Sequence, residues 1–373
     1  MCEGPGRARG RCPVADLNVT PEVTCDGRPV AARLLAFRRL ALDHALAGLI
    51  RLYDRQGVRP LLLKGPAFAR WLYDDPRERS YNDIDLLVRA DELAAARRGL
   101  AELSYEPAPV NAMRPGERRD SHHEEWIRAG TLPLAVELHH TLFGVPAAPS
   151  LVWQRLTEGA GRIDVAGVQV DVPAEAVSAL IVGLHLADHG SVTPRTDLAR
   201  RRHARQGGDR LDVYGGGQFA RRDLQLAVAR VDIGTWRAAT AIAAELGAGE
   251  MFAFGLRLDP AGRRLADQLG LTDRVPRRLR LRNSGPPATT NGIERLISTP
   301  GVRPRIRLLA GELVPSRAFM LSFSPLARRG RCGLIGAYVW RPLDLIIRLP
   351  KGVRAWVRVA APSTKARSPR RSR

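Results

Sequence analysis

Two aspartates one residue apart, Asp83 and Asp85, open the segment Asp83-Ile84-Asp85-Leu86-Leu87-Val88. It alternates and then runs apolar, as a buried strand does. Residues two apart on a strand share a face, so the two carboxylates project together and Ile84 points away. Such a pair repels itself unless something offsets the charge. Mg²⁺ does this well, taking carboxylate oxygens at about 2.0–2.1 Å and sharing its other positions with phosphates and water. An exposed strand end with two solvated acids would carry the same letters. The upstream residues favour the chemical reading. Leu61, Leu62 and Leu63 form a short apolar run stopped by Lys64-Gly65-Pro66. Gly permits a sharp turn, Pro suits the first position of a helix, and 67–73 can supply that helix. The free N–H groups of a helix start attract anions. A phosphate cradle followed by a metal-binding acid pair is what nucleotidyl transfer requires.

A third acidic position lies downstream. In 132–140, Leu134, Val136 and Leu138 alternate with Ala135, Glu137 and His139, so Glu137 and His139 share a face as Asp83 and Asp85 do. The piece beginning at Ser121-His122-His123-Glu124-Glu125-Trp126 precedes it across a turn at Gly130, a plausible hairpin. An antiparallel neighbour strand would set Glu137 beside the Asp pair, about 4.7–4.9 Å away.

Lys64-Gly65-Pro66-Ala67-Phe68-Ala69-Arg70-Trp71-Leu72-Tyr73, then Arg79 four residues before the Asp83–Val88 segment, then Val136-Glu137-Leu138-His139, resemble an uncharacterised bacterial nucleotidyltransferase family of the DNA polymerase β-like superfamily. The resemblance covers roughly residues 30–260 and fades beyond. It implies an α+β fold: a nucleotidyltransferase core with a mixed β-sheet flanked by helices, followed by a mainly α-helical domain. It implies a Gly turn on the triphosphate, two Mg²⁺ ions held by Asp83, Asp85 and Glu137, and an NTP as donor. Lys64, Gly65 and Arg79 become the nucleotide- and phosphate-binding candidates. Arg79 would steady phosphate or the Asp loop, a plain salt bridge being the alternative; His139 would orient Glu137 or contact substrate. Many superfamily members carry Ser after the turn glycine. Pro66 removes that hydroxyl and leaves the work to Lys64 and backbone N–H groups.

The elements that must position these residues follow from periodicity. Residues 31–56 show helical spacing closed by Gly57, and Asp91 is placed to cap a helix through Leu103. Residues 162–172 alternate about Gly167, a hairpin signal. Helical periodicity takes over near Pro173, which sets the expected boundary: a flexible tail over 1–30, a catalytic core over 31–173, and a mainly helical domain over 174–350. Within the latter, 190–222 reads as a flexible basic insertion and the region near 276–304 as a linker; 351–373 reads as a basic tail.

With 373 residues there is room for two domains and a sizeable core. The net charge of +21 suggests a nucleic-acid or acidic partner. Yet only Lys64, Lys351 and Lys365 are lysines, so much of the charge reflects an Arg-rich composition, and Lys64 stands out against it. RNA or another polyanion is the expected partner class for 190–222, with a solvated loop as the plainer reading. Cys2, Cys12, Cys25 and Cys332 lack ligand spacing, so neither a zinc motif nor a disulfide framework follows. Adjacent histidines on a strand point to opposite faces, which argues against a zinc site from His122, His123, His139 and His140 with Glu124 and Glu125. His185 and His189, four apart on a helix, lack a matching third ligand and read as helix-face residues. Residues 333–349 are interrupted by Arg341, Pro342, Asp344 and Arg348, so a membrane span is excluded. With no signal peptide readable, the expected location is cytoplasmic and no membrane partner is expected. The expected reaction is transfer of a nucleoside monophosphate from an NTP to an unidentified acceptor. The alternatives are a non-catalytic basic binding protein on the same core, or an antitoxin-type regulatory nucleotidyltransferase.

Overall fold

The computed structural model describes residues 30–108, 122–189, 216–276, 279, 288–299 and 301–360. The long helix α1 (Val30–Gln56) leads into β1 (Leu61–Leu62), α2 (Pro66–Leu72), a 3₁₀ turn (Pro76–Glu78) and β2 (Asp83–Leu87). Then come α3 (Leu93–Glu102), β3 (Glu106–Pro107), β4 (His123–Arg128) and β5 (Leu134–His139). These five strands form one mixed sheet in the order β1-β2-β5-β4-β3.

The expected antiparallel pairing of the acidic strands is wrong in direction. β2 and β5 run parallel, with Asp85 opposite Glu137 and Leu87 opposite His139. A parallel pair needs a crossover of a dozen or more residues, and α3, β3 and β4 occupy it. The β4–β5 hairpin is antiparallel as the turn at Gly130 implied, with His123 opposite His139.

Alternation sorts the side chains as the sequence pattern requires. Ile84, Leu86, Val136 and Leu138 pack with α1 and α3 in one core, which also takes in Val165 and Val170 of the β6 (Gly161–Val165) and β7 (Val168–Val172) hairpin. Leu87, on the opposite face, joins a second core. That core is made with α4 (Pro149–Thr157), α5 (Glu175–His189), α6 (Gly216–Arg230), α7 (Ile233–Glu245), α8 (Gly249–Arg257) and α9 (Pro260–Gln268). The sheet and the following helices thus share one apolar interior, held locally by the approach of α5 to α8. A Cβ on Gly255 would stand 1.9 Å from the Gly183 carbonyl oxygen, so only glycine permits that approach. Among the described residues no strand follows Val172.

Other expectations fare unevenly. The β6–β7 turn is the predicted hairpin, with both Ala166 (φ 50°) and Gly167 (φ 77°) in the left-handed region. Asp91 does not cap α3: Glu92 holds that position without a side-chain cap bond, and Asp91 is taken by Arg89. The stretch near 276–304 contains α10 (Ala288–Ser298) and the start of α11 (Val302–Leu313). The expected C-terminal tail begins too early, since α13 (Gly330–Ala360), which follows α12 (Arg317–Phe323), runs through 351–360. Residues 190–215 of the basic insertion, the tail 1–29 and residues 361–373 lie outside the described residues; 216–222 form the first turns of α6. Among the described residues no helix is long and apolar enough to cross a membrane.

Candidate active site

The site is built on the sheet face turned away from α1 and α3. Asp83 and Asp85 enter from β2, and Glu137 and His139 from β5. Asp85 is almost wholly buried, whereas the Glu137 side chain keeps 22% exposure. His139 Nε2 lies 3.1 Å from Asp85 Oδ1 and 3.3 Å from Glu137 Oε2, tying the two strands together across the site. A ligand atom from each of Asp85, Glu137 and His139 falls within 4.8 Å of the other two.

Lys64, at the end of β1, reaches into this group. Its Nζ stands 2.7 Å from Asp85 Oδ1. The strand continues one bond past its regular pairing, Leu63 N–H donating to the Asp85 carbonyl at 3.0 Å, which sets Leu63 opposite Asp85 and Lys64 one residue beyond. Gly65 then turns the chain with φ 60° and ψ −116°, a conformation costly for any residue with a Cβ. Pro66 opens α2 as its ring geometry suits.

The start of α2 offers fewer free N–H groups than the sequence suggests. Pro66 has no N–H, and the N–H groups of Ala67 and Ala69 close back on the carbonyls of Lys64 and Gly65 at 3.2 and 3.1 Å. Arg79 also departs from its expected phosphate role. Its guanidinium is buried and forms a bidentate pair with Asp223 of α6, Nη2 to Oδ2 at 2.7 Å and Nε to Oδ1 at 2.9 Å. A further donor reaches the Gly65 carbonyl at 3.3 Å, and the plane lies over the Phe68 ring. Tyr73 completes the group by donating its hydroxyl to Asp223 at 2.8 Å. Arg79 therefore fixes the Gly65 turn and clamps the helices to the sheet; the salt-bridge alternative describes it.

The electrostatics are lopsided. Burial pushes the Asp83 carboxyl up to about 8, with Asp85 and Glu137 adding repulsion. Burial likewise raises Glu137 to about 7, with Asp85 adding repulsion against the opposing pull of His123. Burial also disfavours the Asp85 charge, but the Lys64 ammonium and the His139 hydrogen bond hold that carboxyl well below its usual range. Lys64 in turn is kept charged, because Asp85, Glu137 and Asp83 outweigh the effect of burial on it. Three carboxyl groups thus face one ammonium. Two are in register on neighbouring strands, a donor set that fits a hard divalent cation.

Around this group stand histidines that the sequence reading set aside, and one acid, Asp223, that it did not single out. His123 Nε2 approaches Glu137 Oε1 at 3.5 Å, and the rings of His122, His123 and His139 cluster. Strand alternation was the reason for separating adjacent histidines, but His122 precedes β4, where alternation does not apply. His185 on α5 is also near: burial and the charge of Lys64 hold its imidazole well below the ordinary histidine range. Asp223 had a signal that could have exposed it. It lies on the same stripe of α6 as the buried Ala220, Leu224 and Ala227, an acid where the helix is otherwise apolar.

The family described as "Uncharacterised nucleotidyltransferase" matches residues 29–259, which hold the whole sheet and helices through α8. A solved structure, an antigenic nucleotidyltransferase-like protein from Paracoccidioides brasiliensis, is similar at 13% identity with a TM-score of 0.33. The match covers 61% of this chain and 92% of that one. No curated protein sequence matches the chain. The carboxylates of β2 and β5 lie inside the matched span, and the chain belongs to the uncharacterised nucleotidyltransferase family.

Proposed function

We propose that the protein transfers a nucleoside monophosphate from an NTP to an acceptor, with Asp83, Asp85 and Glu137 as the catalytic carboxylates. The observation that carries this is the gathering of three carboxyl groups on one sheet face against a single ammonium. When bound by these residues, two Mg²⁺ ions supply Lewis-acid stabilisation of the attacking and leaving oxygens. An acceptor oxygen forms a bond to the α-phosphorus while the bond to the bridging oxygen of the β-phosphate breaks, and pyrophosphate leaves. Glu137 is placed to take the acceptor's proton, because its partly exposed carboxylate sits on the site face with Oε2 3.3 Å from His139 Nε2. Lys64 is the main group for the β- and γ-phosphates, since the helix start offers few free N–H groups; to reach them it exchanges part of its contact with Asp85. Gly65 keeps the backbone close to the phosphates, and Arg79 holds Gly65 in place.

The acceptor class spans a small molecule such as an antibiotic, a peptide, a protein side chain or an RNA end. Incubating the purified protein with Mg²⁺ and α-labelled or γ-labelled NTPs in host lysate identifies it. Label from the α position should enter a product while the γ label leaves as pyrophosphate. Label transferred from the γ position instead would overturn the reading.

One observation favours a non-catalytic alternative: Lys64 already neutralises Asp85. On that reading the ammonium replaces the cation and the basic surface does the work. Mg²⁺-dependent thermal stabilisation that disappears in Asp83→Asn separates the two, since a lysine-filled site gives none.

A further inference from the structure

The sheet face that carries the carboxylates also gathers more imidazole than nucleotidyl transfer uses. His122 and His123 stack edge to face with ring centroids 4.4 Å apart. The His139 ring lies 5.1 Å from that of His123 and 5.6 Å from that of His122. One nitrogen from each of the three falls within 4.8 Å of the other two. The backbone builds this cluster deliberately. His123 pairs directly opposite His139 across the hairpin, and the N–H of His140 donates to the His122 carbonyl at 3.2 Å, fixing the residue just before β4.

The outer shell points the same way. His139 commits Nε2 to Asp85 and Glu137, which leaves Nδ1 buried and, among the described residues, without a hydrogen-bond partner. A buried, unpartnered imidazole nitrogen is costly unless something binds it. Asp188 on α5 stands 3.7 Å from His122 Nε2, and Glu137 Oε1 stands 3.5 Å from His123 Nε2. Histidines that bind metals usually give their second nitrogen to a carboxylate, which orients the ring and raises its basicity.

We propose that His122, His123 and His139 form a nitrogen-donor site for a borderline divalent transition-metal ion of the Zn²⁺ class, beside the oxygen-donor face. Imidazole suits such ions, whereas Mg²⁺ prefers oxygen and gives up water reluctantly. Around tetrahedral Zn²⁺, with Zn–N bonds of about 2.0–2.1 Å, donor nitrogens stand about 3.3–3.4 Å apart, so the rings close by about 1.5 Å at most. Three imidazoles leave a fourth position for water or Glu137. The proposal does not depend on nucleotidyl transfer, because three imidazoles bind such an ion whatever the carboxylates do.

The test uses the full chain, without a histidine tag and stripped by a chelator, titrated with Co²⁺ as a visible-absorbing stand-in for Zn²⁺. One equivalent should produce the intense absorption of a low-coordinate nitrogen-ligated ion. Zn²⁺ should displace it, and millimolar Mg²⁺ should not. His122→Ala and His123→Ala should each weaken Co²⁺ binding about a hundredfold while the thermal response to Mg²⁺ persists. Asp83→Asn should show the reverse, so loss of the Mg²⁺ response alone counts against the transfer reading and not against this one. Should an alanine variant misfold, the wild-type competition between Co²⁺, Zn²⁺ and Mg²⁺ decides by itself. Weak, six-coordinate oxygen-type absorption, displacement by Mg²⁺, or unchanged Co²⁺ affinity in both folded histidine variants overturns the proposal.

Discussion

Two groups of buried charge lie close together in this protein and are built on opposite principles. At Arg79 and Asp223 one guanidinium meets one carboxylate in a bidentate pair, with the Tyr73 hydroxyl and the Gly65 carbonyl taking up the remaining valences. Beside it, Asp83, Asp85 and Glu137 gather about the Lys64 ammonium. In the first group every charge is matched, so it holds α6 against the sheet. In the second the fold gathers more carboxyl groups than cationic partners, a surplus of negative charge once Asp83 and Glu137 ionise. Unmatched charge costs stability, and a protein that keeps it is poised to bind a cation.

The largest effect should come from the unmatched group. We expect Asp83→Asn to lower nucleotidyl transfer by at least roughly 10³-fold while leaving the fold intact, and to raise the melting temperature of the metal-free protein. Asp85→Asn should lose activity to the same degree but also lose stability, because it leaves the Lys64 ammonium without its closest partner. Steady-state rates and thermal melts on the two variants check this. Equal destabilisation by both would break the distinction between surplus and matched charge.

The matched group should behave in reverse. Arg79→Met leaves Asp223 buried with no cation, a change that costs about 3–5 kcal/mol in comparable buried pairs. Combining it with Asp223→Leu should recover most of that loss, since replacing both partners by apolar groups is often neutral. Chemical denaturation of the single and double variants measures the recovery. If the double variant is no more stable than the single, the pair is not the clamp described here.

Gly65 joins the two groups, since its carbonyl accepts from Arg79 while its turn sets Lys64 against Asp85. Gly65→Ala meets no steric wall, as the nearest atom, in the Tyr81 ring, would be 3.6 Å from the new Cβ. Its cost is conformational, about 1–3 kcal/mol for a residue forced into a sparsely populated backbone region. Activity should fall further than this loss of stability accounts for, because Lys64 moves with the turn. A variant that is destabilised yet fully active would separate the turn from the site.

Local pattern made the site's composition legible, and long-range topology kept its assembly hidden. Alternation paired Asp83 with Asp85 and Glu137 with His139, each on one face of its strand, and the structure brings all four to the side away from α1 and α3. Alternation carries no information on strand direction, which is why β2 and β5 were expected to run antiparallel. Direction is set by the crossover through α3, β3 and β4, a property of the whole segment. Arg79 shows the same limit: its partner Asp223 is 144 residues away, and spacing within one motif cannot identify it. For His122 the rule was sound but applied one residue beyond the strand, where no pleat holds the ring to one face.

The smallest expected effect is on the response to pH. Asp83 and Glu137 have folded-state values raised to about 8 and about 7, against ordinary carboxyl values near 4. The metal-free fold thus prefers their protonated forms. Their contribution to stability is fully present below the ordinary value and is lost as pH rises through the folded values. A cation needs both groups ionised, so its binding must expel those protons, and the affinity for Mg²⁺ should climb between about pH 6 and pH 8.5. The Mg²⁺-induced shift in melting temperature, a few degrees for a stabilisation of about 1–2 kcal/mol, should accordingly be small at pH 6 and largest at pH 8.5. The Arg79 clamp should add no such slope, because its guanidinium stays charged throughout, its partnership with Asp223 outweighing the effect of burial. Replacing Asp83 by Asn removes a ligand together with its displaced proton and should abolish the Mg²⁺ shift at every pH. A Mg²⁺ shift that is constant from pH 6 to 8.5 would mean that the surplus carboxyls do not hold the ion, and the contrast between the two charge groups would then lose its functional meaning.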